Sequence, residues 1–142
     1  MNASRRLLLL LLLPWCCGLA HAADLAIIVH PSVAATALDV DEVRRLWLGK
    51  TDALPDGTPV RPLGIEESPL RDEFLARVLR KNEMQFRSHW ARMIFTGNGQ
   101  PPRNVGDPAE VLRIVATQPG YIGYVPVEDL TPGVKVLLLL ED

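Results

Sequence analysis

Cysteine is nearly absent from this 142-residue chain; its two copies, Cys16 and Cys17, both fall within the first 22 residues. That stretch has the pattern of a cleaved export signal. Arg5 and Arg6 open it, and Leu7 to Leu13 form an apolar run too short to span a bilayer as a helix. Ala20-His21-Ala22 then puts small residues at the two positions a signal peptidase reads. Bulky Pro14 and Trp15 precede the cysteines, which argues against lipid attachment there. The expectation is a signal peptide over 1–22 and one exported domain over 23–142, without thiol, disulfide or cysteine metal site. With no covalent staples, such a domain must be held by its own core.

An excess of basic charge is also lacking. Beyond Arg5 and Arg6 the chain carries 13 basic and 17 acidic side chains, about −4 at neutral pH. Nothing in that balance points to nucleic acid or an anionic membrane surface. Histidine is scarce: His30 and His89 stand without a cluster of further ligands, so no metal site is expected. His89 reads as a packing or surface residue, and His30 borders a candidate site. Gly97-Asn98-Gly99 lacks the Lys-Ser/Thr ending of a nucleotide loop and reads as a surface loop. Glu66-Glu67 reads as a solvated turn. No nucleophile with a paired base and no cofactor fingerprint is present, so the chain is not expected to be an enzyme or to need a cofactor.

What is present alternates between strand-like and helix-like segments. Leu25 to Val29 reads as a strand buried on both faces, Pro59 to Leu63 as a second strand, Tyr121 to Val125 as a third and Val134 to Leu140 as a buried last strand. Helices are expected after Asp39, Ser68, Asn82 and Asp107. Gly49 ends the first of them, with Lys50 a solvated charge at its end. Trp47, Trp90 and Phe95 are expected in the core. The alternation predicts an α/β fold, a mixed sheet covered by about four helices. Ligands of such sheets gather past the carboxyl ends of strands, and the loops carrying Ser32 and Ser68 would both lie at that edge.

Three of the four helix starts have an acid or amide three residues after the cap: Glu42, Gln85 and Glu110. The helix after Ser68, with Pro69 at its first position, has Arg71 there instead. Two readings stand side by side. One is an ordinary serine cap with Arg71 in solvent. The other is an oxyanion site built from the Ser68 hydroxyl, the amides of Leu70 and Arg71, the Arg71 guanidinium and Ser32.

The segments LDVDEVRRLWLGK (38–50), SPLRDEFLARVL (68–79), HWARMIFTGNGQPP (89–102) and PGYIGYV (119–125) resemble, in order, phosphate-type periplasmic solute-binding proteins of ABC transporters. The similarity is greatest to a shortened, single-lobe branch. It implies a periplasmic-binding-protein-like lobe, inorganic phosphate or a similar oxyanion as ligand, and a membrane transporter or sensor as partner. It implies that Ser68 matches a phosphate-contacting serine and Ser32 a residue of the first phosphate loop. Here Pro69 and Leu70 replace the Gly and Thr of the larger relatives, and Gly64 to Glu67 lacks their arginine. These departures, with the missing second lobe, motivate an alternative: an interaction or sensor-accessory domain that keeps the fold without the ligand.

Overall fold

A computed structural model describes residues 24–141; the expected signal peptide lies outside the described residues. The sheet forms around the most apolar segment. In β1 (Leu25–Val29) all five side chains are fully buried. It lies between β4 (Tyr121–Pro126) and β5 (Lys135–Leu140), antiparallel to both. Beyond β4 come β2 (Arg61–Ile65) and then β3 (Arg103–Val105), each parallel to its neighbour, giving the order β3-β2-β4-β1-β5. Thus β1 runs against the other four strands.

Four helices join these strands: α1 (Val40–Trp47), α2 (Pro69–Phe74), α3 (Glu83–Phe95) and α4 (Pro108–Thr117). The α2 segment continues as a π-helical turn over Leu75–Leu79 and ends at Arg80, which adopts φ 54°. This mixed sheet with its helices is the α/β lobe read from the sequence. No described helix is long and apolar enough to cross a membrane.

On one face, α4 packs so closely that a Cβ on Gly123 would come within 2.5 Å of Val111, so glycine sets the helix–sheet distance. On the other face Trp47, Phe74 and Tyr124 form an aromatic cluster. Phe74 and Tyr124 stack with centroids 3.8 Å apart, and Trp47 meets Phe74 edge-on at 5.1 Å. Their polar atoms are satisfied: Trp47 Nε1 donates to Leu63 O, and the Tyr124 hydroxyl accepts from the Ile65 amide.

Several expectations need correction. The second strand lies two residues further on than expected, because Pro59 forms only an isolated bridge to Ala53. The last strand is a sheet edge rather than a buried strand, with Leu139 exposed. The short β3 was not anticipated. Phe95 is 92% exposed, at the end of a helix whose inward contacts are made by Phe86 and Trp90.

Candidate functional site

The start of α2 lies just beyond the carboxyl end of β2. Ser68 is extended, and its Oγ accepts the Arg71 amide at 3.2 Å while its carbonyl accepts the Asp72 amide at 3.0 Å. Pro69 has no N–H. Leu70 is therefore the one first-turn amide that the cap leaves uncommitted. The other helix starts behave differently. Glu42 and Gln85 reach back to the amides of Asp39 and Asn82, and Glu110 reaches one residue further, to Gly106.

The Arg71 side chain is neither in solvent nor free. It is 6% exposed, and its Nε and one Nη bond the two oxygens of Glu83 at 2.8 and 3.0 Å. Its other Nη donates to Ile65 O at 2.9 Å and Asn104 Oδ1 at 3.1 Å. The Phe86 ring lies under the guanidinium at 5.4 Å. Gly64 makes this packing possible: a Cβ there would collide with Asn104 and press on the guanidinium. The residue the sequence offered as an anion clamp is thus a buried cation, paired with the partly exposed Glu83 and joining β2, α2, α3 and β3.

The electrostatics follow from that pairing. Burial pulls the Arg71 pKa down, but the hydrogen bonds and charge of Glu83 outweigh it, so it is raised overall. Hydrogen bonding to Arg71 holds Glu83 below its ordinary value against the opposing effect of burial. Arg87 bonds Glu83 at 3.2 Å and pairs with Glu67. Beside the pair lies an open cleft of about 570 Å³, lined in part by Glu66, Glu67, Phe86, Arg87 and Asn104. With both arginines paired, Glu66 leaves the lining net negative.

Ser32 does not join this site. Because β1 is antiparallel to β4, Val29 lies level with Ile122, near the start of β4 and hence of its parallel neighbour β2. The expectation that Ser32 and Ser68 share an edge is therefore overturned by strand direction. At the opposite edge, the Ser32 hydroxyl lies 2.7 Å from His30 Nδ1, which also accepts the Ser32 amide at 3.1 Å. His89 Nε2 lies 2.8 Å from Leu48 O, in a packing role. No group of three or more potential metal ligands occurs among the described residues.

Sequence reasoning missed Glu83, Asn104 and Tyr124 as parts of this node. Glu83 reads only as a favourable first-turn acid of α3. Its meeting with Arg71 depends on how α3 folds back, which local spacing does not reveal.

No family model and no curated protein matches the chain. Solved structures do resemble it. One is described as a phosphate ABC transporter substrate-binding protein from Clostridium perfringens with bound phosphate: TM-score 0.64, 15% identity, 82% of this chain and 46% of that one. Another is an ABC-type phosphate transport receptor from Vibrio cholerae: TM-score 0.57, 14% identity, 82% and 47%. A third is PstS from Borrelia burgdorferi: TM-score 0.59, 14% identity, 82% and 48%. The chain spans about half the length of the structures it matches. At these identities the likeness shows the fold.

Proposed function

We propose that this chain is an exported, periplasmic single-lobe binding module for a small oxyanion, with inorganic phosphate the favoured ligand, serving a transporter or sensor rather than catalysing a reaction. The observation that carries it is the Ser68 turn, past the carboxyl end of β2, in a fold shared with proteins described as phosphate-binding. The Ser68 hydroxyl and the Leu70 amide are the donors. Arg71 positions the turn, its charge engaged by Glu83. Ser32 lies outside the site.

Two hydrogen bonds to a charged ligand contribute roughly 1.5–3 kcal/mol each. The gross sum, about 3–6 kcal/mol, corresponds to a Kd between several millimolar and a few tens of micromolar. Net-negative lining and one open lobe push towards the weak end. Calorimetric titration with phosphate, with sulfate as a control, tests this. Saturable binding should weaken about tenfold or more in Ser68→Ala. Equal affinity in that variant removes Ser68 from the site.

A second reading rests on a different surface. Met84 and Ile94 are exposed on α3 together with Phe95, and Met84, Ala91 and Phe95 share one stripe at helical spacing. With Arg71 already paired, these features suit a ligand-free domain that docks on a transporter or sensor protein. In that case Phe95→Asp abolishes association with the partner, and no phosphate heat is seen in any variant.

A further inference from the structure

We propose that the Glu83 carboxylate occupies the seat of an oxyanion at the Arg71 fork, so that the lobe is latched by its own side chain. An external oxyanion enters the fork only when α3 gives up Glu83. This rests on the oxyanion reading and concerns the regulation of that same site.

The geometry at the fork is that of ligand recognition. Glu83 presents two oxygens to two N–H groups, at 2.8 and 3.0 Å, the arrangement in which a guanidinium takes phosphate, sulfate or carboxylate. The fork does not depend on Glu83 for its orientation. Ile65 O and Asn104 Oδ1 hold the other Nη, and Phe86 lies beneath. Removing the carboxylate therefore leaves donors already aimed. Glu83 comes from the first turn of α3, a different element from α2, which carries Arg71. Arg87, four residues along the same helix and exposed, offers the displaced carboxylate a partner outside the fork. The adjoining cleft of about 570 Å³ has room for a tetrahedral anion beside Asn104 and Phe86.

The test compares the purified protein with Glu83→Gln by calorimetric titration with phosphate, sulfate and acetate. Glu83→Gln keeps the side-chain volume and removes the charge. The expected result is a gain in affinity of about tenfold or more for phosphate or sulfate, lost again in Glu83→Gln/Arg71→Met. A purely structural pair gives lower stability without that gain, and an unchanged or weaker affinity in Glu83→Gln overturns the latch. If Glu83→Gln does not fold, Glu83→Asp reads the same contrast: a gain supports the latch, and unmodified affinity overturns it. A gain for acetate alone assigns the seat to carboxylates and overturns its assignment to tetrahedral anions. Phosphate binding by the unmodified protein, weakened by Ser68→Ala but not improved by Glu83→Gln, overturns the latch and leaves the oxyanion reading standing. Absence of binding in every variant overturns both.

Discussion

Arg71 shows how far a residue's role depends on its partner. In the sequence it is a cation where a capping acid would sit. In the folded chain it is a buried cation bonded to Glu83, Ile65 O and Asn104. Arg71→Met leaves Ile65 O and Asn104 Oδ1 without their donor, while the partly exposed Glu83 keeps Arg87 as a partner. It should destabilise the protein by about 1–3 kcal/mol in chemical denaturation; a loss well under about 1 kcal/mol, the level of a surface pair, would contradict this. Tyr124 makes a second prediction. Burial, with weaker opposition from its hydrogen bond to Ile65, pushes its pKa up to about 12 from 10.0. The folded state favours the neutral phenol. Its contribution is thus complete below pH 10 and is lost as pH rises towards 12, by up to about 3 kcal/mol. An alkaline stability profile that stays flat across that window would show the phenol ionising freely.

At the scale of elements, the sequence was most legible where one local rule dominates. The apolar run of β1, the Asp39 and Asn82 capping boxes and the Ser68-Pro69 start all appear where they were read. It was least legible where a long-range partner decides. β3 has three residues and no alternation of its own; it exists because β2 offers it a parallel edge. Phe95 follows the apolar spacing of α3, yet α3 is covered on one side only. The end of the α2 segment is a further case. Arg80 adopts φ 54°, a left-handed conformation that favours glycine. Arg80→Gly should relieve this and stabilise the protein by about 1 kcal/mol, or raise its melting temperature by several degrees. A lower melting temperature would show that the Arg80 side chain contributes more than its backbone strain costs.

At the scale of the whole molecule, strand direction governs the candidate site. The α/β lobe was legible from the alternation of segments, but the reversal of β1 was not, since periodicity carries no information on parallel or antiparallel pairing. That reversal puts Ser32 and Ser68 at opposite edges of one sheet. On the reading proposed above, a single lobe offers a small oxyanion the Ser68 turn alone, with the Arg71 fork closed by Glu83. The most direct measurement is an amide-resolved NMR titration of the unmodified protein with phosphate, carried to about ten times a Kd of several millimolar, the weak end of the expected range. The account predicts saturating shifts centred on Ser68, Leu70 and Arg71, with His30 to Val33 unmoved. Shifts centred on Ser32, or none over the whole range, would contradict it.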